Sequence, residues 1–228
     1  IDIDPTSISK NVPADIPVVG DAKNILIQLL KQVKPKKHTD WLRQIAEWEK
    51  KHPLGYPEDD KLYPQYVVEK ICELTRGEAI VTTEVGQNQM WAAQFYKPQR
   101  PRHFLSSGGL GTMGYGFPAA IGAKLGSPDK TVIDIAGDGS FQMNIQELAT
   151  AVINKVNVIV AVLNNSFLGM VSQWQRLFYK KRYSAVRLYT QPTKPYSFPI
   201  PDFVKVAQAY GAVGLRVSRK EEVTPTLK

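Results

Sequence analysis

Two groups of oxygen-bearing side chains stand directly after apolar segments of this 228-residue sequence. Asp138 lies in the stretch Gly-Asp-Gly-Ser after the apolar segment 131–136, and Asn164 and Asn165 follow the apolar segment 158–163. When such segments are neighbouring strands of a parallel sheet, the residues after them meet beyond the carboxyl ends of the strands. Magnesium prefers oxygen ligands and takes only one or two protein carboxylates, with phosphate and water completing its shell. The sequence therefore predicts a site for magnesium and a phosphate group on Asp138 and an asparagine oxygen.

The glycines beside Asp138 support this interpretation. Gly137 and Gly139 let the backbone approach a phosphate closely, and a helix that begins near Ser140 directs its N–H groups to the same place. A Gly-Asp-Gly stretch by itself is more often an ordinary turn between a strand and a helix. Here 24 residues and then Asn-Asn follow it. This two-part pattern resembles the thiamine diphosphate motif, in which a metal ion bridges the enzyme and the diphosphate.

The elements that must position these residues alternate between short apolar runs and amphipathic segments. This alternation predicts an α/β fold with a doubly wound, mainly parallel sheet and helices on both faces. We predict strands at 79–83, 104–106, 131–136, 158–163 and 212–217, helices at 66–75, 141–154 and 202–210, a helix of small residues after the glycine cluster at 107–116, and a polar loop at 84–89.

The first 60 residues differ from the rest of the chain. We expect residues 1–30 to be the remnant of a preceding middle domain, because a strand at 1–4 and a helix at 24–30 are too little to fold alone. Residues 31–60 are a charged connector with one amphipathic helix, for which Asp40 is the expected N-cap. The main domain spans 61–228, and we expect it to be truncated at its end. Within it, the proline-rich stretch 191–201 is expected to form a mobile loop.

Composition excludes several classes of protein. Hydrophobic residues make up 43% of the chain and charged residues 22%, which is ordinary for a globular protein and excludes a disordered or collagen-like chain. The single cysteine, Cys72, excludes an internal disulfide framework and a Cys-rich zinc site, and it suits a reducing compartment. The apolar runs are far shorter than the roughly 18 residues of a membrane span, so we expect no membrane partner.

The chain carries 29 Lys and Arg against 21 Asp and Glu, which gives a formal net charge of +8. A strongly basic domain can bind nucleic acid, so a non-catalytic basic binding module is an alternative interpretation. The basic residues cluster at 31–37 and 176–187, where no helix-turn-helix, zinc-finger or RNA-recognition motif occurs. Solvated faces and attraction of small anions explain them better, and we expect no nucleic-acid partner.

Four longer segments resemble the catalytic subunit of the acetolactate synthase (acetohydroxyacid synthase) family. They are EVGQNQMWAAQ at 84–94, SGGLGTMGYGFPAAIGA at 107–123, IAGDGSFQMNIQEL at 135–148 and LNNSFLGMVSQWQRLFY at 163–179. The resemblance implies a transferase of branched-chain amino-acid biosynthesis, which decarboxylates pyruvate and joins the product to a second 2-ketoacid, pyruvate or 2-ketobutyrate. The main domain would be its diphosphate-binding domain. Another thiamine diphosphate-dependent decarboxylase or carboligase is the alternative within enzymes.

The resemblance also implies roles for individual residues. The magnesium ligands would be Asp138, Asn165 and the backbone carbonyl of Phe167, and Trp174 would line the substrate pocket and favour 2-ketobutyrate. Gly111 would accept a hydrogen bond from the aminopyrimidine through its backbone, and Met113 would support the bent cofactor. The full set of implied cofactor-binding residues is Gly86, Gln87, Asn88, Gly111, Met113, Gly137, Asp138, Gly139, Ser140, Asn165, Gly169 and Met170. Many members of the family carry His at the position of Asn88, and Asn can donate a hydrogen bond to phosphate but cannot become cationic.

The remaining implications concern the whole enzyme. We assign no catalytic residue in this chain, because the family's catalytic glutamate belongs to the amino-terminal domain of a neighbouring subunit, and neither Glu84 nor Glu147 is given that role. FAD is expected in the full-length enzyme only. The expected partners are further copies in a dimer or tetramer, a regulatory small subunit and small 2-ketoacids, in the cytoplasm of a bacterium. We expect the 228-residue piece alone to be inactive.

Overall fold

The computed structural model describes residues 1–188 and 201–228, and its chain divides into two units, 1–54 and 55–228. In the first unit, the strand expected at 1–4 is reduced to a single bridge between Asp2 and Val19, because Pro5–Ser7 forms a 3-10 turn. Helices α1 (Ala22–Leu30) and α2 (Thr39–Lys51) follow. The expected cap of α2 is wrong: His38 is in the N-cap position and the helix begins at Thr39, so Asp40 lies in its first turn. The assignment of 1–30 and 31–60 to a preceding domain and a connector stays a prediction.

The second unit holds four strands and eight α-helices among the described residues. The strands are β1 (Ile80–Thr83), β2 (Phe104–Ser106), β3 (Val132–Gly137) and β4 (Ile159–Leu163). The helices are α3 (Pro64–Thr75), α4 (Gln87–Phe95), α5 (Gly116–Gly126), α6 (Asp138–Phe141), α7 (Glu147–Ile153), α8 (Gly169–Phe178), α9 (Phe203–Ala209) and α10 (Val223–Leu227).

The four strands form one parallel sheet in the order β2-β1-β3-β4. This confirms the predicted parallel α/β architecture. Strand β3 is central and lies between β1 and β4. Its last residue, Gly137, pairs with Leu163 at the end of β4, so the residues that follow the two strands leave the sheet side by side. The edge where all four strands end is therefore the place at which their following residues gather.

Helices cover both faces of the sheet, because successive side chains of a strand point to opposite faces. On one face, Val81 and Ile133 pack with Ile71 of α3 and Ala92 of α4. On the other face, Ala136 packs with Phe117 and Ile121 of α5, Phe141 of α6 and Leu148 of α7. In the described ranges no helix is long and apolar enough to cross a membrane.

The helix expected at 141–154 is wrong in its extent. A short helix, α6, begins already at Asp138, a 3-10 turn follows at Gln142–Asn144, and α7 begins at Glu147. Side chains interrupt the helix: Gln142 Nε2 donates to the backbone O of Asp138 at 3.0 Å, and Asn144 Nδ2 donates to the backbone O of Gly114 at 2.7 Å. The first contact is local and occupies a carbonyl of the helical backbone, and the second ties the chain to a residue 30 positions away.

Two further expectations differ from the structure. The loop expected at 84–89 turns into helix α4 at Gln87, and the strand expected at 212–217 does not pair with the sheet. The segment around Gly214 packs against α9 instead, where a methyl group on that glycine would lie 2.8 Å from the backbone O of Val204. Most of the loop expected at 191–201 lies outside the described residues.

Candidate cofactor site at the carboxyl edge of the sheet

Asp138 is the buried acid of the carboxyl edge. It is the first residue of α6 directly after β3, and only 1% of it is exposed. Its Oδ2 atom is buried and accepts no hydrogen bond from any described residue. The pKa of the Asp138 carboxyl is raised, because burial outweighs the lowering effect of the backbone N–H groups around it, first that of Asn165. A buried carboxylate oxygen that lacks a donor is suited to a cation.

Asn165 follows β4 and is exposed. Its Oδ1 atom accepts a hydrogen bond from the backbone N of Phe167 at 2.9 Å, which closes a local turn and leaves that oxygen a second lone pair. Gln87 lies close by, because Asn165 Nδ2 donates to its Oε1 at 3.5 Å. Gly169, the first residue of α8, packs against both side chains: a methyl group there would lie 2.2 Å from Gln87 Oε1 and 3.0 Å from Asn165 Nδ2. The structure thus gathers three of the predicted cofactor residues from the ends of β1 and β4.

A cleft of about 250 Å³ opens beside this group. Gln87 closes part of it by donating from Nε2 to Gln173 Oε1 at 2.7 Å. The lining of the cleft is mostly polar and includes one cationic side chain, that of Arg176. The full lining among the described residues is Gln87, Asn165, Phe167, Gly169, Ser172, Gln173, Arg176 and Tyr183.

The glycine-rich loop, residues 107–116, forms the other side of the site. Ser107 holds its tip, because its backbone O accepts from Gly111 N and its Oγ accepts from Thr112 N, both at 3.0 Å. Gly111 is exposed and has a φ of +72°, a conformation that glycine adopts without strain. Met113 approaches the Gly-Asp-Gly-Ser turn: a methyl group on Gly139 would lie 4.0 Å from Met113 Cε. The structure therefore brings the residues predicted for the two ends of the cofactor together.

A buried pair of acids, Glu84 and Asp134, lies beneath this loop, and neither is exposed. Asp134 Oδ1 accepts from Thr82 Oγ1 at 3.1 Å, while its Oδ2 has no partner in the described part of the chain. Burial, and then the charge of Glu84, raise the pKa of Asp134 well above its ordinary value. Gly116 packs onto both acids: a methyl group there would lie 2.4 Å from Asp134 Oδ1 and 2.5 Å from the backbone N of Glu84.

Asn88, on α4, is buried beside the Gly-Asp-Gly-Ser turn. Its amide nitrogen donates to the backbone O of Glu84 at 2.9 Å and to that of Ile135 at 2.8 Å. Its Oδ1 lies where methyl groups on Gly86 or Gly137 would come within 2.9 Å. Asn88 therefore joins the start of α4 to strand β3, and its contact with the diphosphate stays a prediction.

The residues predicted on α8 lie in its first two turns. Met170 is partly buried in the first turn. Trp174 is 54% exposed, and its ring meets that of Phe178 edge-on at 6.0 Å. Of the described residues, Trp174 is not among those that line the cleft. Its role as a wall of the substrate pocket stays a prediction.

Sequence reasoning found Asp138 and Asn165 and assigned no role to Glu84 or Asp134. The same rule applied to Glu84, since it directly follows β1 at the carboxyl edge. Asp134, in contrast, lies inside a strand among apolar residues, where only the fold shows what faces it. The described residues contain no group of three or more His, Cys, Asp and Glu side chains that could hold a metal ion.

Comparison with known proteins defines the class of protein. The sequence family described as "Thiamine pyrophosphate enzyme, C-terminal TPP binding domain" matches residues 84–228, which include every residue of the site. The chain belongs to this family.

The curated relatives narrow the class. The chain is 46% identical over its whole length to the acetolactate synthase isozyme 3 large subunit of Escherichia coli, and 47% identical over its whole length to the acetolactate synthase large subunit of Haemophilus influenzae. It is 47% identical over 99% of its length to the acetolactate synthase of Mycobacterium leprae. It spans 39% of the first two relatives and 37% of the third. The resemblance found in the four segments is thereby confirmed.

Proposed function

We propose that this chain forms the cofactor-binding part of an acetolactate synthase, which decarboxylates pyruvate and joins the product to pyruvate or 2-ketobutyrate. The observation that carries the proposal is the buried Asp138 at the carboxyl edge of the sheet, whose Oδ2 atom lacks a donor among the described residues. Support comes from the match to the thiamine pyrophosphate enzyme family and from the identity to acetolactate synthase large subunits.

The residues at this edge fit magnesium and a diphosphate. Asp138 and Asn165 offer side-chain oxygens, and Phe167 offers a backbone carbonyl, which is an all-oxygen set for a hard cation. Gly139 packs closely against Leu168, whose Cδ2 would lie 2.8 Å from an added methyl group, and the buried Ser140 follows in the same turn. Thiamine diphosphate, when bound, supplies the electron sink that decarboxylation of a 2-ketoacid requires.

In this proposal the chain's own residues bind the cofactor and orient it. Gly111 presents its exposed backbone at the tip of the glycine-rich loop, and the end of the flexible Met113 side chain reaches toward Gly139, where an added methyl group would lie 4.0 Å from Met113 Cε. Gln87 links the diphosphate side to α8 through Gln173. Trp174, half-exposed on α8, is proposed to face the second substrate.

The proposal includes parts beyond this chain, because the chain spans only 39% of its first relatives. In the whole enzyme we propose FAD on the middle domain, a catalytic glutamate from a neighbouring subunit, a dimer or tetramer, a regulatory small subunit, and a place in the bacterial cytoplasm. The 228 residues alone are then expected to make no acetolactate from pyruvate.

The first test is cofactor binding by Asp138→Asn in the protein at its full encoded length. Loss of a ligand charge is expected to weaken magnesium-dependent binding of thiamine diphosphate about 100-fold, measured by titration calorimetry. Asp129→Asn, an exposed acid outside the site, is the matched control and keeps the wild-type affinity. Undiminished binding by Asp138→Asn contradicts the assignment.

The reaction is tested by the products formed from pyruvate with and without 2-ketobutyrate. Acetolactate and acetohydroxybutyrate are the expected products. Aldehyde without either carboligation product favours the alternative of another thiamine diphosphate-dependent decarboxylase.

A further inference from the structure

Glu84 lies between the two segments proposed to hold the two ends of the cofactor. Its side chain is completely buried directly after β1. Oε1 accepts from the backbone N of Phe117 at 2.9 Å. Oε2 accepts from the backbone N of Gly114 at 2.9 Å and from Ser140 Oγ at 2.6 Å. One carboxylate therefore holds both the glycine-rich loop and the Gly-Asp-Gly-Ser turn.

The donors explain why an acid is present at this place. The N–H groups at the start of a helix have no partner within the helix, and Gly114 and Phe117 lie around the start of α5. A negative charge there is also favoured by the helix dipole. Hydrogen bonds to an ionised acceptor are about twice as strong as neutral ones. Glu84, which follows strand β1, thus caps the start of helix α5.

Ser140 extends this contact into the turn. It donates to Glu84 Oε2, while its Oγ accepts from Val85 N at 3.2 Å and from Gly114 N at 3.1 Å. Asp138, the proposed magnesium ligand, stands two residues before Ser140. Glu84 and Ser140 therefore join the Gly-Asp-Gly-Ser turn to the glycine-rich loop through direct hydrogen bonds.

We infer that Glu84 is a positioning residue, which keeps the glycine-rich loop and the Gly-Asp-Gly-Ser turn at the separation that the two ends of thiamine diphosphate require. It acts through Gly114 and Ser140 and does not touch the cofactor. This inference rests on the proposed function. If Glu84 positions the two segments, the effect of substituting it should depend on whether a ligand occupies both ends of the site or only one. Substitution of a general structural residue should affect both kinds of ligand equally.

The experiment compares two ligands, magnesium thiamine diphosphate and magnesium pyrophosphate, on the protein at its full encoded length. Glu84→Gln has the shape of the native residue, but its amide nitrogen cannot accept the hydrogen bonds made to Oε1 or to Oε2. We expect affinity for thiamine diphosphate to fall about 10- to 100-fold and affinity for pyrophosphate to change less than about threefold. Glu78→Gln, which changes a half-exposed acid that precedes the opposite end of β1 and pairs with Arg100, is the matched control and changes neither affinity.

The inference is overturned if Glu84→Gln loses affinity for both ligands equally, or loses affinity for neither. The proposed function is overturned if the wild-type protein binds neither ligand. Glu84→Asp, which keeps the charge, is expected to show a smaller loss confined to thiamine diphosphate. A measurement on the wild-type protein makes the test independent of folding of the variants. Magnesium pyrophosphate alone is expected to slow hydrogen exchange severalfold in residues 107–117, and unchanged exchange there contradicts the coupling.

Discussion

The two strands that deliver the proposed magnesium ligands differ in their surroundings. Strand β3 is central, its first five residues are buried, and it leads into the buried Asp138. Strand β4 lies at the edge of the described sheet, is half-exposed, and leads into the exposed Asn165. One ligand is therefore held by the domain core and the other by a local turn with Phe167. We expect substitutions on the β3 side to change the stability of the domain as well as ligand binding. Substitutions on the β4 side should change the interaction with ligands and leave stability nearly unchanged.

The largest effect on stability is expected for Gly116→Ala. The added methyl group would lie within 2.6 Å of Asp134 Oδ1, the backbone N of Glu84 and the backbone C of Thr83. Two of these are backbone atoms, whose displacement costs more free energy than the rotation of a side chain. We expect the free energy of unfolding to fall by about 1–3 kcal/mol, measured by urea denaturation.

The control for this substitution is Gly122→Ala in the same helix, where no atom of the described residues outside the helix lies within 4 Å of the new methyl group. Alanine favours a helix over glycine, so this variant is expected to gain about 0.5–1 kcal/mol. Equal stability of the two variants would show that the contact at Gly116 does not constrain the β3 side.

The second prediction concerns the pH dependence of stability on the β3 side. The pKa of Asp134 is raised in the folded state above its ordinary value of 3.8, so the folded protein binds the proton more tightly than the unfolded chain. This contribution is complete below about pH 4 and is lost as pH rises through the folded pKa, at up to about 1.4 kcal/mol per pH unit.

The variant Asp134→Asn lacks this titration. We therefore expect the free energy of unfolding of the wild type to decline relative to the variant as pH rises from about 4 toward neutrality, in parallel urea titrations. A constant difference between the two proteins over that range would mean that Asp134 has the same pKa in both states. Asp129→Asn, exposed near the opposite edge of the sheet, should keep the wild-type profile.

The smallest effect is expected on the β4 side, for Trp174→Leu. Because Trp174 is 54% exposed, the free energy of unfolding should change by no more than about 0.5 kcal/mol. The ratio of acetohydroxybutyrate to acetolactate in a competition of the two acceptors is expected to fall about fivefold, which corresponds to about 1 kcal/mol. Phe178→Leu, its exposed neighbour on α8, is the control, and an equal fall in that variant would count against a pocket role for Trp174.

Local patterns carried much of the prediction. The strand at 104–106 and the strand cores of β1, β3 and β4 follow from short apolar runs, and the rule for parallel sheets placed Asp138 and Asn165 at one edge. Local patterns failed where distant groups intervene. Asn144 bonds to Gly114 across 30 residues and helps to interrupt a helix that the apolar spacing favoured. The apolar run at 212–217 packs beside α9 and leaves Val213 and Leu215 exposed.

Sequence by itself determined which oxygen-bearing side chains follow the strands and which family the four segments resemble, because both depend on residue types within short stretches. Only the tertiary structure decided which acids are buried and what they hold. Glu84 finds its donors 30, 33 and 56 residues away, and Asp134 meets Gly116 only because α5 packs onto the sheet. Burial and hydrogen bonds of this kind depend on how distant segments pack together, so they cannot be predicted from the order of the residues alone.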